Sequence, residues 1–244
     1  MKLFLTSVAG CLDSIDSFKE LINPQTKLVV LPFSYHKDYI NCSEDIIDHF
    51  DRCPSNKDSI YWHTVMPFVN AGILPERISI INQYTDTIDY IKYKLAQPNT
   101  IVYLPGGYPE NIVENVLQFD LLDSLKNCEI IVGESAGSMA VFSKFFVYKD
   151  QDYKRYKRYK GLGFIKNMTL IPHFRFDNKF IMEACGKFNK RYRKIKIFCV
   201  MDGGYVVIEN GELIDYDKTY ICKRCKKKLK RYIGEFIELL KDLI

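Results

Sequence analysis

The chain has 244 residues, 47% hydrophobic and 27% charged, with 13 glycines and 9 prolines. That is too apolar for a disordered chain and too charged for a membrane protein, and a chain of this length buries roughly 70% of its unfolded surface with no need of disulfides or metals to hold a core. The net charge of +5 hides a division: residues 1–143 carry 10 basic and 18 acidic side chains, residues 144–244 carry 25 and 12. Such asymmetry fits a nucleic-acid, membrane or acidic partner, or two halves that neutralise each other.

Short apolar runs alternate with helix-length amphipathic segments along the first part of the chain. Strands are expected at 3–6, 27–31, 77–81, 100–104 and 129–132, and helices at 13–22, 44–53, 59–71, 87–95 and 110–125. The first strand adjoins Val8-Ala9-Gly10-Cys11, which looks like a lipoprotein cleavage box. Thr6 and Ser7 interrupt the apolar stretch before it reaches the ~7–15 residues of a signal core, so a core strand is expected there instead. Strands and helices in alternation predict a mostly parallel sheet covered on both faces, a three-layer α/β/α architecture. Beyond residue 143 the strand-like runs shorten, at 144–148, 168–171, 195–200, 205–209 and 212–215, around a helix at 177–193; another helix is expected at 225–240. Asn210-Gly211 between two alternating runs is a hairpin signal. No Ser/Gly-rich linker or repeat interrupts the chain, so one domain over 1–244 is expected.

The eight cysteines are scattered, as thiols of a reducing compartment are, and a cytoplasmic location is expected. Cys222 and Cys225 form a lone C-x-x-C in a lysine run; a structural zinc site needs four ligands and no second pair follows, so neither metal nor cofactor is expected. Residues 151–160, QDYKRYKRYK, interleave basic side chains with tyrosines in a pattern able to stack on bases. They lie between two expected strands, where an exposed charged loop is the ordinary reading. Neither nucleic acid nor a membrane is expected as a partner.

The chemistry concentrates in three segments. Strand-like Ile130-Ile131-Val132 runs into Gly133-Glu134-Ser135-Ala136-Gly137 and then into a helix-compatible stretch, the context of a nucleophile elbow with Ser135 at its tip. A serine hydroxyl needs a base, and a group to orient that base. His36, His49 and His63 precede the serine and read as surface or packed residues, whereas His173 follows the apolar run 168–171 and Pro172, at a strand's C-terminal edge where sites of open α/β sheets assemble. Asp202, ending the run 198–202 ahead of Gly203-Gly204, is the expected orienting acid; Asp177 reads better as a helix cap. The order Ser, His, acid differs from the Ser, acid, His of the α/β-hydrolases, and no His-Gly-Gly motif lies upstream. Arg175 is a candidate for holding a substrate carboxylate, with pairing to Asp177 as its rival role.

Upstream, Tyr103-Leu104-Pro105-Gly106-Gly107-Tyr108 places a glycine turn 28 residues before the serine. Together with the initial L-F-L-T-S strand, the G-x-S-A-G elbow, the late histidine and the acid-Gly strand end, this resembles the dipeptidase E (aspartyl dipeptidase) and cyanophycinase family of serine peptidases. The resemblance implies a class I glutamine amidotransferase-like (flavodoxin-like) α/β fold, with Ser135 as nucleophile, His173 as general base and acid, and Asp202 as its orienting carboxylate. It also implies an oxyanion hole from the backbone at Gly107 and Ala136, and short peptides as substrates. Tyr108 stands where the family commonly has Asn or Asp, a departure that bears on the family's preference for an amino-terminal aspartate and makes Tyr108 a candidate substrate contact. A non-catalytic scaffold of the same fold, binding a metabolite or protein partner, is the alternative, and a homodimer is left open.

Overall fold

The computed structural model describes residues 1–36, 38–53 and 59–222. The expected helix at 225–240, and Cys225 with it, lie outside the described residues. In chain order the strands are β1 (Lys2–Thr6), β2 (Lys27–Val30), β3 (Ile78–Ile80), β4 (Thr100–Leu104), β5 (Ile130–Glu134), β6 (Lys144–Val147), β7 (Lys157–Lys160), β8 (Met168–Ile171), β9 (Lys196–Glu209) and β10 (Glu212–Cys222). The helices are α1 (Asp16–Lys19), α2 (Ser43–His49), α3 (Met66–Asn70), α4 (Ile88–Leu95), α5 (Pro109–Gln118), α6 (Leu122–Lys126), α7 (Ala136–Ala140) and α8 (Lys179–Arg191).

Eight strands form one sheet in the order β10-β9-β1-β5-β4-β2-β3, with β8 joined to β9. The strands from β1 to β3 in that order are parallel, β9 is antiparallel to β1 and β10, and β8 is parallel to β9. Successive side chains of a strand point to opposite faces, and both faces here are apolar. Leu3, Leu5, Val102, Leu104 and Ile131 enter one core cluster, while Phe4, Ile101, Tyr103 and Val132 enter the other. Each fully buried Phe or Leu contributes roughly 1.5–3 kcal/mol, so the continuous apolar runs of β4 and β5 can be stable only in the middle of a covered sheet. A third cluster packs α8 against β6, β8 and the first half of β9 through Phe146, Phe188, Ile171 and Ile197.

Several boundaries differ from the sequence reading. The helix expected at 110–125 is two, α5 and α6, because Asp120 takes a positive φ of 53° between them. The first expected helix is a 3-10 turn, Ala9–Ser14, followed by the four-residue α1. The 59–71 segment opens with a π turn, Tyr61–Val65, before α3. The runs at 195–200 and 205–209 belong to one strand, β9, which continues through Asp202-Gly203-Gly204. The tyrosine-lysine stretch, read as a loop, ends in β7, which pairs antiparallel with β6. The hairpin at Asn210-Gly211 is present, with both residues at positive φ between Glu209 and Glu212.

Candidate active site

The C-terminal ends of the parallel strands converge on one edge of the sheet. Ser7 follows β1, Gly106 and Gly107 follow β4, and Ser135 joins β5 to α7. Ser135 is held at φ 46° and ψ −104°, outside the helical and extended regions. Such a conformation costs about 1–3 kcal/mol and persists only where its surroundings over-determine it. They do so here by close packing: a Cβ on Gly137 would fall 1.9 Å from the Leu104 carbonyl oxygen, so α7 sits against β4 at a distance only glycine allows. The Ser135 N–H donates to Thr6 O (2.9 Å), and the Ser138 hydroxyl sits within hydrogen-bond distance of Thr6 O (2.8 Å) and Gly133 O (2.7 Å), its one proton shared between them, anchoring the elbow to β1.

Ala136 is the first residue of α7, and the N–H groups of a helix's first turn have no intrahelical partner. Gly107 lines the same cavity as Ser135 and Ala136. Its φ of 136°, and the 2.7 Å that would separate a Cβ from Ser34 O, require glycine there. The turn is held from both sides. Ser34 Oγ donates to Gly106 O (2.6 Å), the Tyr108 N–H donates to Ser34 O (2.7 Å), and the Gly106 N–H donates to Glu134 Oε2 (3.3 Å).

His173 faces the serine from the other half of the chain. Its Nε2 lies 3.0 Å from Ser135 Oγ and its Nδ1 lies 2.6 Å from Asp202 Oδ1. With the proton on Nδ1 directed at the carboxylate, Nε2 is left as the acceptor for the serine hydroxyl. His173 itself has a positive φ of 53°, and the following residue is tied to β9 by the Phe174 N–H donating to Val200 O (2.9 Å). Burial of Asp202 opposes its ionisation, but hydrogen bonds from His173 and Ser7 and the charges of His173 and Arg175 hold its carboxyl below the usual carboxylate range.

Two residues that the sequence reading did not assign to the site complete it. Ser7, fully buried, accepts the His173 N–H (2.9 Å) and donates to Asp202 Oδ1 (2.9 Å), so one hydroxyl fixes both the histidine backbone and the acid. Glu134, the residue before Ser135, accepts from Ala9 N–H (3.1 Å) on Oε1, and from Tyr103 OH and Gly106 N–H on Oε2. Burial, the Glu134 charge and its hydrogen bond push the Tyr103 hydroxyl well above its ordinary range, keeping it a neutral donor. Glu134 thus joins the elbow to the glycine turn and to the loop after β1. The signals were there: Ser7 ends a strand at the same edge as Ser135, and Glu134 is an acid inside an otherwise apolar strand and turn.

The remaining candidates fall elsewhere. Arg175 is exposed, and its Nε and Nη2 donate to the two oxygens of Asp177 at 3.2 and 2.9 Å. Asp177 therefore does not cap α8; Asn178 does, accepting from the Phe180 and Ile181 N–H groups. Tyr108 leans on the cavity's rim, its hydroxyl 3.4 Å from Asp152 Oδ1 and its ring against Tyr153 and His36. The cavity itself encloses about 550 Å³ beside Ser135 and His173. His49 Nδ1 bonds the Asp45 carbonyl at 2.8 Å, and no described helix is long and apolar enough to cross a membrane.

Comparison with known proteins points the same way as the geometry. The family model of peptidase family S51 matches residues 55–215. No curated protein matches the chain. Among solved structures the chain resembles the crystal structure of a candidate peptidase E protein from Listeria monocytogenes EGD-e, with a TM-score of 0.59 at 19% identity, over 88% of this chain and 97% of that one. That likeness carries the three-layer flavodoxin-like fold, while the family match spans more than half of the chain and takes in Ser135, His173 and Asp202. The chain therefore belongs to peptidase family S51 and is a serine peptidase.

Proposed function

We propose that the protein hydrolyses short peptides through an acyl-enzyme on Ser135, with His173 as general base and acid and Asp202 as the carboxylate that orients it. Ser135 Oγ attacks the scissile carbonyl carbon as its proton passes to His173 Nε2. The oxyanion so formed is met by the N–H groups of Gly107 and Ala136, donors fixed before the reaction begins. Collapse breaks the C–N bond, and His173 gives its proton to the leaving amine. Water then attacks the ester, its proton goes to His173, and Ser135 leaves with that proton restored.

The observation that carries this reading is the unbroken hydrogen-bond chain from Ser135 Oγ through both nitrogens of His173 to Asp202, beside a cavity large enough for a short peptide. The test is turnover of a dipeptide and tripeptide panel by the wild type, S135A and H173A. Either substitution is expected to lower kcat by ~10⁴ or more with the fold intact. Retention of most activity in either variant would refute the assignment.

A further inference from the structure

The second half of the chain is strongly basic, yet the part of it that borders the nucleophile is acidic. Asp150 and Asp152 line the cavity with Ser135 and His173, and no lysine or arginine is among the described lining residues. Lys149 Nζ lies 5.4 Å from the Phe180 ring centroid and Arg175 is bound to Asp177, while Lys154 and Arg155, which follow Asp152 in the same loop, are exposed and do not line the cavity. We infer, resting on the acyl-transfer reading above, that the cavity selects peptides with a lysine or arginine side chain on the acyl side of the scissile bond, with Asp150 and Asp152 as the specificity-determining pair.

The loop is built to present these carboxylates. Asp150 Oδ1 accepts the N–H groups of Asp152 (2.9 Å) and Tyr153 (2.7 Å), which fixes its side chain and leaves Oδ2 to face a ligand. Among the described residues, Asp152 Oδ1 accepts from the Tyr108 hydroxyl at 3.4 Å. Tyr153 packs against Tyr108 and is anchored by its hydroxyl to Glu110 Oε2 (2.7 Å), so a third carboxylate stands behind the wall. Burial and the neighbouring Asp152 charge push the Asp150 carboxyl up, against the pull of its backbone hydrogen bonds; a bound cation relieves that cost. The same cavity is lined by the buried apolar side chains of Met139, Val147 and Ile171, whereas Asp150 and Asp152 are exposed. Buried apolar side chains beside exposed carboxylates suit an aliphatic stem with a cationic tip better than they suit a compact ammonium. An aspartate side chain would meet the like charges of Asp150 and Asp152 and the hydrocarbon of the buried lining.

The preference is read from kcat/KM for peptides that differ only in the first residue, Lys, Arg, norleucine or Asp, each with a free or acetylated α-amine. Lys and Arg peptides are expected to exceed norleucine peptides by about tenfold or more, with Asp peptides lowest and the order kept after acetylation. In D150N/D152N the ratio of Lys to norleucine is expected to fall toward one. An Asp preference, or a Lys preference untouched by the double variant, would overturn the inference. A preference lost on acetylation would assign the carboxylates to the α-ammonium and overturn the side-chain claim. Labelling rates of wild-type Ser135 by ammonioalkyl, alkyl and carboxyalkyl fluorophosphonates read the same selectivity without peptide turnover or a variant. Equal rates from all three would sink the charge inference alone, and no label from any of them would sink the acyl-transfer reading beneath it.

Discussion

The two halves of the molecule position their functional groups by different means. In the parallel half, Ser135 is fixed by close packing: the elbow is strained, and Gly137 lets α7 press on β4 so that the strained conformation has no room to relax. In the second half, His173 and Asp202 are largely exposed, with side chains 44% and 65% accessible. A hydrogen-bonded pair that open is worth little by itself. What holds it is the buried Ser7, which belongs to the first half and reaches across to both partners. Packing sets Ser135, and polar links from the end of β1 set His173 and Asp202.

That contrast breaks most visibly at Gly137. G137A places a methyl group 1.9 Å from a backbone oxygen, so chemical denaturation is expected to show a stability loss of more than ~3 kcal/mol, with activity lost alongside. A fold-neutral G137A would mean that packing does not fix the elbow.

Ser7 probes the polar half. S7A leaves the His173 N–H and one Asp202 oxygen without their shared partner, and kcat is expected to drop roughly 10–100-fold with KM little changed. The hydrogen bond from Ser7 is one of the forces lowering the Asp202 pKa. Its removal raises that pKa, so any acid limb of the pH–rate profile due to Asp202 moves to higher pH. An unaltered kcat and profile would show that the exposed pair holds itself in place.

The smallest expected effect is at Glu134, which links the elbow to the glycine turn. An amide at this position can keep one acceptor oxygen, but its NH₂ must then face a donor, either Ala9 N–H or the Tyr103 and Gly106 pair. E134Q is expected to lower kcat by roughly tenfold, less than the ~10²–10³ that follows loss of an oxyanion donor itself. Progress curves at saturating substrate decide it, and a rate equal to wild type would remove Glu134 from the support of the turn.

Much of this arrangement could be read from the sequence, for physical reasons. Continuous apolar runs such as 100–104 can only be buried central strands, and the strand leading into Gly133-Glu134-Ser135 has few other structural uses. His173 stood out because it directly follows the apolar run 168–171, whereas His36 lies in an acidic loop and His49 and His63 in expected helices. The parts that stayed hidden depend on distant neighbours. Nothing local reveals that Ser7 lies beside Asp202, 195 residues away, because β9 must first pair antiparallel with β1. The charge count left an anionic partner and mutual neutralisation both open, and two loop aspartates of the basic half line the cavity. The rival partnership of Arg175 with Asp177 was visible in their spacing, and it is the one the structure contains.

The central claim is that His173, aligned from the second half, activates the serine held by the first. The most direct measurement is the second-order rate at which a neutral fluorophosphonate modifies wild type and H173A, with the modified residue located by peptide mass spectrometry. Modification at Ser135 in the wild type, slowed by several orders of magnitude in H173A, is the expected result. Equal rates in the two proteins, or a label on any other residue, would contradict it.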